Sequence, residues 1–159
     1  MRGCYRKLGI AWVALCATLA IHTFDEASTG FLSVYNPTVL ELRRRISFFP
    51  MPTFVYREWL LGLIAATLIL LVLSPLMFRG ARWIRPLAYI FGVIMFANGI
   101  GHTAGTIFGR TVAIVRFPRP MPGFYSSPLL FICSTYLLIQ LRRTSKPELG
   151  AGHTLGAAR

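Results

Sequence analysis

Four stretches of the chain, each close to 20 residues long, contain no Asp, Glu, Lys or Arg. A helix needs about 20 apolar residues to cross roughly 30 Å of hydrocarbon, so such stretches are typical of transmembrane helices. They lie at 8–24, 59–78, 87–108 and 121–141. Because 55% of all residues are hydrophobic, the sequence predicts an all-α integral membrane bundle of four transmembrane helices.

The connection at 27–58 is the longest between predicted spans and contains the basic run Arg43, Arg44, Arg45. Apolar and basic residues alternate at helical spacing over 38–49, which indicates either a short amphipathic helix in the headgroup layer or an exposed loop. After the last span, residues 144–159 are rich in Gly and Ala and predict a disordered tail. Residues 1–143 are therefore predicted to form one transmembrane domain.

Positive charge is concentrated between the spans and in the tails, where nearly all 17 Lys and Arg residues lie. This distribution predicts contact with membrane lipids and not with nucleic acid, despite a net charge of +12. More of the basic residues fall on the side that holds both termini, which predicts a plasma (cell inner) membrane protein with both termini in the cytoplasm. Alternatively, the first stretch is a secretory signal peptide cleaved after Ala20.

The first predicted span ends in His22, Asp25 and Glu26, although the whole chain has only five carboxylates. Residues three and four apart share a helix face, so His22 can meet either acid. A histidine with two acids is typical of a proton-transfer site or a metal site. The alternative is a polar patch that merely ends a helix at the membrane surface.

The third span contains Asn98 and His102, four residues apart and therefore on one helix face. Small residues recur beside them at the same spacing, which predicts a ridge on which another helix packs closely: Ala97, Gly101, Gly105 and Gly109. Asn98 and His102 would then face a neighbouring helix, either as site residues or simply as hydrogen-bonding groups that hold two helices together.

The polar residues of the first span and those of the third span are expected at similar depths in the membrane. The reason is that the first and third spans of a four-span bundle run in the same direction. His22 follows Lys7 by roughly 22 Å of helix and His102 follows Arg85 by roughly 25 Å, at about 1.5 Å per residue. Ionisable groups are costly in lipid, so we expect them to face one another. The predicted pocket contains His22, Asp25, Glu26, Asn98 and His102.

Two motifs also carry a family resemblance. The run from His22 to Glu26, the run from Asn98 to His102 and the pair Pro122-Gly123 resemble the HXXEE family of small integral membrane proteins. Asp25 stands where that family has its first Glu. The resemblance implies a multi-pass membrane protein with a functional polar site, but it implies no particular reaction.

These features predict a membrane-embedded enzyme that acts on a lipophilic small molecule. In one version the five pocket residues perform acid-base catalysis; in the other, His22, Glu26 and His102 bind a divalent metal such as zinc or iron. The alternative from another class is a small proton-coupled transporter that uses the cluster as a relay. A scaffold subunit would leave the cluster unexplained, and the sequence predicts no oligomeric state.

Overall fold

The computed structural model describes residues 2–145, of which 76% are helical, with no strand among them. Six α-helices follow one another within these residues: α1 Arg2–Thr29, α2 Leu32–Arg45, α3 Tyr56–Val72, α4 Ser74–Phe78, α5 Arg85–Phe108 and α6 Ser127–Ser145. A single 3-10 turn, Arg82–Ile84, precedes α5. Residues 146–159, most of the predicted tail, lie outside the described part of the chain.

Within residues 2–145, three segments are long and apolar enough to cross a membrane: Gly3–Thr29, Tyr56–Phe78 and Arg82–Phe108. The predicted all-α membrane architecture is therefore confirmed in part, for three spans and not clearly for four. The helix at the predicted fourth span, α6, has a shorter apolar part than the other three, because Arg142 and Arg143 occupy its last turn. Residues 127–141, the part of α6 before these arginines, span only about 22 Å at about 1.5 Å per residue, less than the roughly 30 Å of a hydrocarbon core.

The start of α6 differs from the predicted start of the fourth span at residue 121. Residues 122–126 form turns, and Gly123 has a φ of +84°, a left-handed conformation that favours glycine. Pro128 consequently lies in the first turn of α6, where the missing N–H is tolerated.

The first helix extends beyond its predicted end at residue 24. The hydroxyls of Ser28 and Thr29 donate to the carbonyl oxygens four residues earlier, and Gly30, with a φ of +75°, ends the helix. The predicted connection then contains α2, so the helix alternative describes it better than the loop, although the helix begins at residue 32 and not 38.

Packing places α6 between α1 and α5. Trp12 of α1 contacts Phe91 of α5 edge to face, with ring centroids 5.3 Å apart. The buried core includes Leu8, Leu15 and Leu19 of α1 and Leu130, Leu137 and Leu141 of α6. On α3, by contrast, Leu61, Leu68 and Val72 are exposed, as expected of a helix that faces lipid.

Glycines permit the close contact of α5 with α6, but they are not the predicted ones. A Cβ atom on Gly99 would lie 3.2 Å from the carbonyl oxygen of Ser127, and one on Gly92 would lie 2.9 Å from Leu138. A Cβ on Gly101 would meet nothing within 4 Å. The predicted ridge at Gly101 is therefore not a helix-packing face, because α6 lies against the neighbouring face of α5.

We expect Gly99→Val to destabilise the protein by about 1–3 kcal/mol, because the added atoms overlap the backbone of α6. Gly101→Val, the same change two residues along the same helix, is the matched control and leaves stability nearly unchanged. Thermal unfolding in nonionic detergent measures both. Equal effects of the two substitutions would contradict this account of the α5–α6 contact.

Candidate functional site

The carboxylate of Glu26 lies between two histidines. Its Oε1 atom is 3.3 Å from Nε2 of His22 and 3.1 Å from Nε2 of His102. All three residues are buried, with 4%, 1% and 2% of their surface exposed, respectively. The two imidazole rings contact each other edge to face, with centroids 4.8 Å apart. One acid and two potential cations or ligands therefore share a small dry volume.

The position of Glu26 in α1 increases its need for a positive partner. Glu26 belongs to the last turn of α1, where the helix dipole is negative and disfavours an anion, and that turn has no basic residue. A buried anion in such a place is costly unless a cation or several hydrogen-bond donors compensate it. The two histidines are the groups in contact with it.

The negative charge of Asp25 is stabilised by hydrogen bonds from Ser126, at the start of α6. Its Oδ2 atom accepts hydrogen bonds from the backbone N–H of Ser126 at 2.9 Å and from the Ser126 hydroxyl at 2.8 Å. The N–H groups at a helix N-terminus lack partners within the helix and attract anions. Asp25 thus joins the end of α1 to the beginning of α6.

Ser126 also fixes the protonation pattern of His22. The Ser126 hydroxyl has one hydrogen, which the carboxylate of Asp25 attracts most strongly. With that hydrogen on Asp25, the 2.7 Å contact between Ser126 Oγ and His22 Nδ1 favours the tautomer in which Nδ1 is the donor. His22 therefore presents the lone pair of Nε2 to Glu26.

Asn98 contacts the same nitrogen, with its Nδ2 atom 3.1 Å from His22 Nε2. His102, one turn further along α5, has an Nδ1 atom that is buried and lacks a hydrogen-bond partner within residues 2–145. Its Nε2 atom is the one that faces Glu26. An Nδ1 atom without an acceptor favours the tautomer in which Nε2 carries the hydrogen and donates to Glu26.

Gly123 covers the cluster from the turn before α6. A Cβ atom at this position would lie 2.7 Å from Cε1 of His102 and 2.9 Å from Cγ of Glu26. Its amide N–H donates to the Thr29 hydroxyl, 3.2 Å away, which ties the turn to the end of α1. Only glycine fits both the backbone conformation and the space.

Two cavities border the cluster. One, of about 460 Å³, is lined by Glu26 and Asn98 together with residues of α2, α3 and the segment before α3. The other, of about 660 Å³, lies between α2 and α5 and is bordered by Asn98, Gly101 and Arg110. Both cavities have sizes typical of small-molecule sites.

The structure brings the five predicted residues to one place. His22, Glu26, Asn98 and His102 are in direct contact, whereas Asp25 reaches His22 through Ser126. Their roles in catalysis or metal binding stay predictions. Ser126 and Gly123 also belong to the site, although neither is among the five residues selected from the sequence. A serine shortly before a proline is a signal for a helix N-terminus and marks where such a donor would lie.

The geometry suits a divalent metal. One ligand atom from each of His22, Glu26 and His102 lies within 4.8 Å of the others. Tetrahedral zinc with bonds of about 2.0–2.1 Å needs ligand atoms about 3.3 Å apart, close to the two distances measured at Glu26. Two histidines and one carboxylate are a donor set that zinc and non-haem iron both accept.

Comparisons of the chain with protein-family models, with curated proteins and with solved structures gave no match. The resemblance to the HXXEE family consequently stays a prediction. Fold and site together define an all-helical protein with three helices able to cross a membrane and a buried His-Glu-His group that could bind a metal.

We expect Gly123→Ala to destabilise the protein more than Gly30→Ala. Both glycines have a positive φ, so both substitutions cost about 1–2 kcal/mol of backbone strain. At Gly30 a Cβ meets no atom closer than 4.0 Å, whereas at Gly123 it overlaps Glu26 and His102. Thermal unfolding of the two variants measures the difference, and equal melting temperatures would show that Gly123 does not contact the cluster.

Proposed function

We propose that this protein is a membrane-embedded enzyme that uses a divalent metal, bound by His22, Glu26 and His102, to act on a lipophilic small molecule. The observation that carries the proposal is the convergence of two buried imidazole nitrogens on one buried carboxylate oxygen. When bound, such a metal supplies Lewis-acid chemistry or an activated water. Zinc and iron are the candidates that match the donor set.

The hydrogen bonds around His22 suit both a metal ligand and a shared proton. With hydrogen on Nδ1, the lone pair of Nε2 accepts from the Asn98 amide, 3.1 Å away, and lies 3.3 Å from the carboxylate oxygen of Glu26, where a cation would remove the repulsion between the two acceptors. A shared proton or a metal ion supplies that cation. The chain from Asp25 through Ser126 to His22 is the kind of outer partner that orients a metal-binding histidine.

The other residues of the site would have distinct tasks. Asn98 borders both cavities and the cluster, so its amide is placed to hold a polar group of a substrate beside the metal. Asp25 and Ser126 would position His22. Gly123 would keep water and other side chains away from the closed side of Glu26 and His102.

The inner half of α1 supports an enzyme over a proton-coupled carrier. Below His22, the core residues of α1 include Leu19, Leu15 and Trp12. Thr18, the buried hydroxyl one turn inward, donates back to the carbonyl oxygen of Ala14. A carrier needs polar groups that continue across the membrane, whereas this cluster opens sideways into two cavities.

We expect the purified protein to bind one zinc or iron ion per chain. His22→Ala, Glu26→Gln and His102→Ala should each abolish stoichiometric binding, because three protein ligands are the minimum for such a site. His153→Ala, which changes the third histidine of the chain, is the matched control and should retain the metal. Elemental analysis after titration with Zn²⁺ or Fe²⁺ measures the content.

A wild-type protein that binds neither ion would overturn the metal version of this proposal. Acid-base chemistry by the same residues would then be the version to test. Proton uptake into liposomes that contain the metal-free protein would instead favour the carrier.

We also expect Ser126→Ala to lower metal affinity by about 10–100-fold without abolishing binding, because loss of an outer partner disorients a ligand but removes none. Ser134→Ala removes another buried serine hydroxyl from α6, one that bonds only to the Phe131 carbonyl, and should bind metal as the wild type does. Competition with a chelator of known affinity measures both. An unchanged affinity in Ser126→Ala would contradict the orienting role of Ser126.

A further inference from the structure

The cavity beside Glu26, of about 460 Å³, has an unusual lining for this protein. Two carboxylates, Glu26 and Glu58, border it, and no Lys or Arg within residues 2–145 does. The whole chain has 17 basic and five acidic residues, so the charge of this lining is opposite in sign to the net charge of the protein. The lining thus has two acidic side chains in a strongly positive protein.

Aromatic rings form a continuous wall of the same cavity. The ring centroids of Phe31 and Tyr35 are 5.4 Å apart, those of Tyr35 and Phe54 are 5.8 Å apart, and those of Phe31 and Trp59 are 5.9 Å apart. The faces of aromatic rings attract cations within about 6 Å, and rings grouped around a cavity are the usual receptors for alkylated ammonium groups.

Hydrogen bonds hold this wall in place. The Tyr35 hydroxyl donates to the carbonyl oxygen of Pro52, and the Asn36 side chain exchanges two hydrogen bonds with the backbone of Phe54. Arg43 donates to the carbonyl oxygen of Met51 at the edge of the cavity, so this guanidinium is bonded to backbone and does not line the cavity. The rings are thus positioned before a ligand enters.

The cavity also has an apolar end. Leu63 and Ile94 line it, one turn inward from Trp59 and Asn98 respectively, and Ile94 is exposed on the outer surface of α5. Because that surface faces lipid, a hydrocarbon chain can extend from the cavity towards the bilayer. The acidic end, at Glu58, lies at the start of α3, near the membrane boundary.

We propose that this cavity binds an amphiphile whose head is an organic cation, an amine or quaternary ammonium group, and whose hydrocarbon tail extends past Leu63 and Ile94. Glu58 and the rings of Trp59 and Tyr35 hold the head. Glu58 is not among the proposed metal ligands, so its charge is free for this task. That this amphiphile is the substrate of the enzyme rests on the proposed function. Its binding to the cavity does not require the metal.

The test is binding of radiolabelled dodecyltrimethylammonium to the full-length protein in nonionic detergent, compared with protein-free micelles. We expect saturable binding of one molecule per chain. Unlabelled dodecyl sulfate and dodecanol, which have the same tail with an anionic or a neutral head, should not compete. Competition by dodecylphosphocholine would identify a lipid headgroup as the ligand, and its failure to compete would identify a free amphiphilic amine.

Charge and ring variants test the assigned residues. Glu58→Gln should weaken binding by about tenfold, since it removes a counter-charge from a partly desolvated cation. Glu41→Gln makes the same change at an acid that pairs with Arg44 and Arg45 away from the cavity, and should bind as the wild type does. Trp59→Leu should weaken binding similarly, whereas Trp83→Leu, at an exposed tryptophan elsewhere, should not.

The inference is overturned if binding does not saturate, if dodecyl sulfate competes equally, or if Glu58→Gln binds the cation as tightly as the wild type. Its failure is separable from that of the proposed function. Saturable cation binding by a protein that holds no metal would sink only the metal proposal. Stoichiometric metal binding without binding of the organic cation would contradict only the organic-cation proposal. The Glu58→Gln variant should retain its metal in either case.

Discussion

The site depends on one physical constraint, the placement of the Glu26 carboxylate in a buried position at the C-terminal end of a helix. Burial removes water from the anion, and the helix dipole at that end adds to the cost. The carboxylate therefore needs a hydrogen-bond donor or a cation beside it, and His22 and His102 are the titratable groups within 3.3 Å. Every element of the site follows from meeting this requirement: α5 brings His102, the turn before α6 closes the space, and Ser126 orients His22.

The last helix, α6, joins the other parts of the site. Although α6 has too few apolar residues to match the three longer spans, it packs between α1 and α5, and its N-terminal N–H group binds Asp25. Because α6 begins at Ser127 and not at residue 121, the N–H group at its N-terminus lies beside Asp25. A helix that started at residue 121 would bury its N-terminal donors elsewhere and leave Asp25 without them.

The sequence predicted the helical membrane class and both i,i+4 pairs because these features are periodic and local. It also predicted that His22 and His102 lie at similar depth, since helix rise converts residue number into height. Ser126 and Gly123 are not among the five residues that it selected for the site. Their contacts depend on where α6 begins and on how closely α5 approaches it, which glycine positions such as Gly99 decide through tertiary packing. The exposed Gly101 illustrates the same limit, because spacing alone cannot tell a packing ridge from a cavity wall.

The distribution of acids connects the metal proposal with the organic-cation proposal. Of the five carboxylates, Asp25, Glu26 and Glu58 lie at the cluster or its cavity, Glu41 pairs with Arg44 and Arg45, and Glu148 lies outside the described residues. A chain with a net charge of +12 repels cations from most of its surface. Three of the five acids lie in one partly enclosed region, where a low-dielectric surrounding strengthens the attraction of a carboxylate for a cation. Two adjoining parts of this region then select differently: nitrogen ligands beside Glu26 favour a metal ion, whereas aromatic faces beside Glu58 favour an alkylated ammonium group.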